Sequence, residues 1–179
     1  MPATFQEDHL PRYESRVTTK NGKGVFIRPV LQTDGPLIID FFNKLSPQSI
    51  YLRFLSRLRF LPEDMLYRFT HVDYQAEFAL AGVIKEDGKD TIIAVCRYAY
   101  DPQYDLPELA VVVRDDWQHF GLGAILLVKI IAIAKEHGIT RLGAEIDPHN
   151  NIIRKLFQDL GYEVKYTLRA GSYRLEIPI

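Results

Sequence analysis

The sequence holds one cysteine, Cys96, in 179 residues, so no disulfide can close within the chain. A lone thiol fits a reducing cytoplasm. Charge of one sign is also lacking: 22 Lys and Arg stand against 23 Asp and Glu, a formal charge of -1. That argues against a nucleic-acid surface built on bulk charge, leaving only a local basic patch open. The first residues carry Glu7, Asp8 and Glu14 with no apolar core, so no secretory signal is expected. The longest apolar run, 122–134, is interrupted by Lys129 and is too short to span a bilayer, so no membrane partner is expected. No repeat or low-complexity linker is present. The five histidines (His9, His71, His119, His137, His149) lack the pairwise spacing of a metal site, and no metal is expected. What remains is one domain over 1–179, long enough to bury its own core, with 1–13 expected as a loosely ordered tail.

Periodicity and turn residues supply the elements. Short extended runs at 16–18 and 25–30 flank Asn21-Gly22, a hairpin signal. Asp34 is placed to cap a helix through Leu37, Ile38, Phe41, Phe42 and Leu45. Ser46-Pro47 opens a second helix with proline at its first position, and Pro62-Glu63-Asp64 a third with acids in its first turn. Residues 78–84 and 91–100 read as strands joined by a turn at 86–89. A strand at 108–114 leads through a polar turn into a long apolar helix, 121–137. That helix is apolar around most of its circumference, which predicts that it is sandwiched rather than superficial. A strand at 142–146 follows and runs parallel to the previous one, because a helix crosses between them. An amphipathic helix over 150–160 stops at Gly161, and a last hairpin turns at Ala170-Gly171. The order implies a mixed α/β fold with one parallel crossover in the middle of the sheet.

The stretch 108–138 is the chemical centre. A strand, a turn bearing Gly121 and Gly123, and a helix start leave several backbone N–H groups unpaired and reinforced by the helix dipole, an arrangement that binds phosphate. Glycine admits a phosphate oxygen where a Cβ would hold the backbone away. The plainer alternative is a turn whose glycines only permit close packing. The order Gln118-His119-Phe120-Gly121-Leu122-Gly123-Ala124 is neither the dinucleotide fingerprint nor the Walker loop. It resembles the (Gln/Arg)-x-x-Gly-x-(Gly/Ala) acyl-coenzyme A loop of the GNAT N-acetyltransferase superfamily. Asn150 ahead of a helix and Gly161-Tyr162 resembles a further family segment, and the element order is similar from about residue 23 to 177. Residues 45–54, Leu-Ser-Pro-Gln-Ser-Ile-Tyr-Leu-Arg-Phe, resemble a segment of protein-lysine acetyltransferases often fused to acyl-CoA-synthetase-like domains. The chain resembles their catalytic domain alone, and no such fusion partner is expected.

The resemblance implies a GNAT fold, a mostly antiparallel sheet with one splayed parallel strand pair and flanking helices. It implies acetyl-CoA as cosubstrate, held by Gln118, His119, Phe120, Gly121, Leu122, Gly123 and Ala124, by the strand Val111, Val112 and Val113, and by Asn150 and Phe157. The acceptor it implies is an amine, a protein lysine or a small molecule. A lysine amine has a pKa of about 10.4 and is protonated at neutral pH, so a base must act. Glu108 resembles the family's strand glutamate, and its apolar neighbours Leu106, Leu109 and Ala110 should raise its pKa. A solvent-facing strand-end glutamate is the alternative, with Glu145 and Asp147 as reserves. Direct transfer is expected, with Cys96 read as core.

Three features depart from the family pattern. Phe157 stands where many members carry a proton-donating Tyr. His119 and Phe120 stand where Gly and Arg are common, which removes a charged phosphate contact that Arg154 or Lys155 could replace. His71 and Asp73 are candidates to border the acceptor pocket, and Tyr51, Arg53 and Phe54 to form its wall. The competing function is a non-catalytic acyl-CoA-binding regulatory module.

Overall fold

The computed structural model describes residues 7–179. Where a loose tail is expected over 1–13, residues Glu7–Tyr13 form a 3-10 helix with Leu10 buried and the Tyr13 ring edge-on to Phe78 at 4.9 Å. The rest of that segment lies outside the described residues. Strands β1 (Ser15–Thr18) and β2 (Gly24–Pro29) form the first hairpin, followed by helices α1 (Gly35–Asn43), α2 (Pro47–Phe54) and α3 (Glu63–Thr70). Strands β3 (Phe78–Glu86) and β4 (Lys89–Ala99) turn through Asp87 and Gly88 at φ 50 and 76, the paired positive φ of a tight hairpin. Strand β5 (Glu108–Val113), helix α4 (Leu122–Glu136), strand β6 (Arg141–Ile146), helix α5 (Asn151–Asp159) and the hairpin β7 (Lys165–Arg169) and β8 (Ser172–Pro178) complete the chain.

The eight strands make one sheet in the order β1-β2-β3-β4-β5-β6-β8-β7. Every neighbour pair is antiparallel except β5 and β6, which run parallel and share the single register pair Glu108↔Gly143. Beyond that pair the two strands part. The expected mixed α/β sheet with one splayed parallel pair is therefore the observed architecture.

Alternation along β4 separates the two faces of the sheet. Tyr98 reaches towards α4, where its hydroxyl lies 2.6 Å from His137 Nδ1, whereas Arg97 points to the opposite face and stacks on Phe69 of α3. Helix α4 packs along β3, β4 and β5, burying Leu122, Leu126, Leu127, Ile130, Ile131 and Ile133. It is less enclosed than its composition predicts, since Val128 stays 49% exposed.

The helix starts follow local chemistry with one exception. Ser46 Oγ accepts from Ser49 N at 3.1 Å to cap α2, and Pro47 occupies its first turn. Asp34 precedes α1 as expected, but its side chain does not cap it. It takes both guanidinium nitrogens of Arg28, at 2.7 and 2.8 Å, and the Leu31 N–H at 2.8 Å. A half-buried arginine on β2 outcompetes a helix N–H for the carboxylate, because a bidentate charged pair is the stronger contact.

Replacing Asp34 by Ala leaves Arg28 uncompensated in the same place. The variant is expected to lose about 3–5 kcal/mol of stability, read as a lower urea midpoint at unchanged m-value.

Candidate active site in the cleft between the parting strands

The parting of β5 and β6 opens a cleft of about 1040 Å³. The direction of the β5 amides follows from one bond: Arg114 N donates to Ile93 O of β4 at 2.8 Å. Polar groups alternate along a strand, so Ala110 and Val112 also pair with β4, while Val111 and Val113 turn theirs into the gap. There β6 no longer offers a ladder partner. Of the three valines expected to meet a cofactor through their backbone, two thus face the gap and Val112 does not.

The gap runs into the start of α4. Gly121 adopts φ 86 as the residue before the helix, and no side chain caps that end. Helices α2 and α5, by contrast, are capped by Ser46 and Asn150. The first helical bond is Ile125 N to Gly121 O at 3.1 Å, so the N–H groups of Leu122, Gly123 and Ala124 have no partner within the helix. His119 also has positive φ, 67, which explains why glycine suits this position: a side chain there costs about 1–2 kcal/mol. The residues fit a pyrophosphate-bearing cofactor, since they offer converging donors, a glycine hinge and an apolar trough.

All but one of the predicted cofactor residues line this cleft: Val111, Val112, Val113, Gln118, His119, Gly121, Leu122, Gly123, Ala124, Asn150 and Phe157 do, and Phe120 does not. Some have work of their own. Asn150 Oδ1 accepts from Ile153 N at 3.3 Å, Phe157 is buried edge-on against Tyr162, and Gln118 Nε2 donates to Val113 O at 2.8 Å and Ser49 Oγ at 3.1 Å. Asp115 accepts from Ser46 N, Ser46 Oγ and Ser49 Oγ at 3.0, 2.5 and 2.9 Å, fastening α2 to the same loop.

Glu108 stands where the strands separate and lines the cleft. Arg174 of β8 reaches across β6 to it, with Nη1 donating to Oε2 at 2.6 Å and Nη2 lying 2.5 Å from Oε1 without hydrogen-bond geometry. The crossing passes over Gly143, where an added Cβ would overlap Glu108 Oε1 and Arg174 Nη2 and lie 2.9 Å from Arg174 Cζ. Tyr104 covers the guanidinium at 4.1 Å and donates its hydroxyl to Glu145 at 2.5 Å. Burial pushes the Glu108 pKa up despite Arg174, which opposes it. The two reserve carboxylates go the other way. Glu145 is held below its usual range by hydroxyls of Ser172 and Tyr104, and Asp147 by the His149 N–H and the Tyr51 hydroxyl.

Tyr51, Arg53 and Phe54 line the opposite wall, as expected, whereas His71 and Asp73 are absent from the lining. His71 stacks on Tyr67, and Asp73 accepts the Gln75 and Glu77 N–H groups of its own loop. Arg154 is stacked over Tyr166 and Tyr173 instead of facing the helix start. Lys155 lines the cleft, and so does a cation that the sequence reading passed over, Lys20. Its N–H donates to Phe120 O at 2.9 Å and its stem lies over Gly121, with Cε 3.3 Å from the place of a Cβ. Buried Cys96 has its thiol pKa pushed up by burial, which keeps it unreactive. Among the described residues no His, Cys, Asp or Glu cluster could hold a metal, and no helix is long and apolar enough to cross a membrane.

The model of the Acetyltransferase (GNAT) family matches residues 48–162, spanning α2 to the end of α5. An acetyltransferase of Pseudomonas aeruginosa is 30% identical over 142 residues, 79% of this chain and 76% of that one. The GNAT domain of S. lividans PAT, known from its crystal structure, is 32% identical with a TM-score of 0.82, covering 94% of this chain and 98% of that one. Acetyltransferase Pat of Mycolicibacterium smegmatis is 29% identical over 146 residues, 81% of this chain but 43% of the relative, so the chain spans less than half of that protein's length.

A methyl group at Gly143 must displace the Glu108–Arg174 pair. Gly143→Ala is expected to cost about 1–3 kcal/mol, measured by thermal melting. Gly24→Ala, where nothing lies within 4 Å, is the control and should leave the melting temperature nearly unchanged.

Proposed function

The chain belongs to the acetyltransferase (GNAT) family, and on that premise we propose that it moves an acetyl group from coenzyme A directly to an amine, with Glu108 as the base. The observation that carries the reading is the difference among the nominated carboxylates: burial raises the pKa of Glu108 at the fork of the strands, while Glu145 and Asp147 are held low. A base working near neutrality needs such a raised pKa. The amine nitrogen attacks the thioester carbonyl carbon and its proton passes to Glu108, directly or through one water. The carbon–sulfur bond then breaks, and the thiolate leaves with the electron pair. The free N–H groups of Val111 and Val113 are suited to the carbonyl oxygen as negative charge develops on it. Phe157 has no proton to give the thiolate; Tyr51 and Tyr104 are hydroxyl-bearing residues lining the same cleft.

The pyrophosphate of the cosubstrate would take the N–H groups at the start of α4 and the ammonium of Lys20, which stands in for the arginine missing from the loop. A protein lysine is the acceptor favoured by the resemblance of residues 45–54 to protein-lysine acetyltransferases. The likeness to the GNAT domain of S. lividans PAT is in keeping with it. A small amine remains the rival acceptor, and the reading sets the enzyme beside cytoplasmic acetyl-CoA.

Thiol release from acetyl-CoA with lysine peptides and small amines tests the reading. Because the base must be ionised, kcat/KM should fall as pH drops through a pKa above the ordinary carboxylate range. In Glu108→Gln that acid limb should vanish and the rate fall about 10²- to 10⁴-fold; full activity in this variant would remove Glu108 from the mechanism. Lys20→Ala keeps the backbone bond to Phe120 and should raise the KM for acetyl-CoA about three- to tenfold with kcat nearly unchanged.

A further inference from the structure

Five arginines among the described residues are buried or half-buried: Arg28, Arg53, Arg97, Arg114 and Arg174. Four have a carboxylate at ion-pair distance: Arg28 has Asp34, Arg97 has Glu77, Arg114 has Glu86 and Asp116, and Arg174 has Glu108. Arg53 has none. It projects from α2 into the lining of the cleft, its guanidinium carbon 4.8 Å from the ring centre of Phe54 and 5.8 Å from that of Phe69. The other guanidinium on Phe69 belongs to Arg97, at 4.9 Å. Burial and this second positive charge pull the Arg53 pKa down to about 10, so the surroundings disfavour a lone cation there. An uncompensated charge in such a place is costly until an anion joins it.

The location says what that anion accompanies. In the β4–β5 ladder Arg97 faces Ala110 and Ala99 faces Glu108, which makes Arg97 a diagonal neighbour of Glu108 on one face of the sheet, about 7–8 Å away. A group bound between Arg53 and Arg97 therefore sits one side chain's length from the carboxylate that receives the amine proton.

We propose that Arg53, with Arg97 beside the same Phe69 ring, is an anion subsite for the acceptor, binding a carboxylate carried beside the accepting amine. The inference rests on the amine-acetylating reading given above. The planar guanidinium presents paired donors matched to the two oxygens of a carboxylate, which an ammonium would not. The carboxylate can be an acidic side chain next to a lysine in a polypeptide, or the own carboxylate of a free amino acid.

The test uses the full chain with saturating acetyl-CoA and two matched acceptor pairs, acetyl-Glu-Lys-amide against acetyl-Gln-Lys-amide and free lysine against lysinamide. The acid-bearing member of one pair should win by about tenfold or more in kcat/KM, and which pair responds identifies the source. In Arg53→Met the ratio should fall to about one, and Arg53→Lys should restore part of it. A purely structural Arg53 would lower both members alike and leave the ratio intact. Equal rates in wild type, or a preference that survives in Arg53→Met, would overturn the subsite. Calorimetric titration of both acceptor pairs without acetyl-CoA reads it apart from turnover. Tighter binding of the acid-bearing member of one pair, lost in Arg53→Met, supports the subsite even if no thiol is released. Equal binding within both pairs to wild type refutes it even if Arg53→Met fails to fold.

Discussion

Strands β5 and β6 hold each other through one register pair, Glu108 with Gly143. A parallel pair that continued would close its own backbone groups and leave nothing to bind with. Because it stops, the edges of Val111 and Val113 stay open, and the separation widens towards the uncapped start of α4. The glycine at the fork has a second consequence. With no side chain there, Arg174 of β8 can pass over β6 and reach Glu108, so one missing methyl group joins three strands around one carboxylate. Burial of that carboxylate, partly offset by the guanidinium, then sets its basicity.

Charge in the cleft is unevenly distributed, and the unevenness follows from topology. Carboxylates gather at the end of β6, as Glu145 and Asp147, and at the start of β5, as Glu108, where hydroxyls and Arg174 hold them. Arginines gather on α2 and β4 around Phe69, where Glu77 is the carboxylate that reaches one of them. The α2 wall is consequently positive beside a carboxylate whose pKa burial raises. A solvent-exposed pair of this kind would be worth little, but half-buried aromatic walls keep such fields from being screened.

The strands and helices were legible from residue periodicity because each carries its own punctuation. Asn21-Gly22, Asp87-Gly88 and Ala170-Gly171 turn the hairpins, Ser46-Pro47 opens α2, and Gly121 and Gly138 bound α4. The glycine turn before α4 and the place of Glu108 at the start of β5 were legible for the same reason, since both are local features. What could not be read is register. Arg174 meets Glu108 only because β8 lies beside β6 with Arg174 opposite Glu145, a fact spread over three strands. Lys20 reaches Gly121 because the first hairpin bends back onto the loop. Asp34 shows the limit from the other side: a residue with the right identity for a cap was drawn away by Arg28, a partner that no local pattern announces.

The joint made by Asp115, Ser46, Ser49 and Gln118 carries a consequence for how two ligands sense each other. It fastens the first turn of α2 to the segment that precedes α4, so a displacement of the glycine loop would be carried into one wall of the cleft. Any ligand that stills the loop also stills the wall, and free-energy linkage makes this reciprocal: each changes the equilibrium affinity of the other by the same factor. Order of arrival would then be a matter of kinetics, and the joint that links the two ligands is already closed in the resting protein.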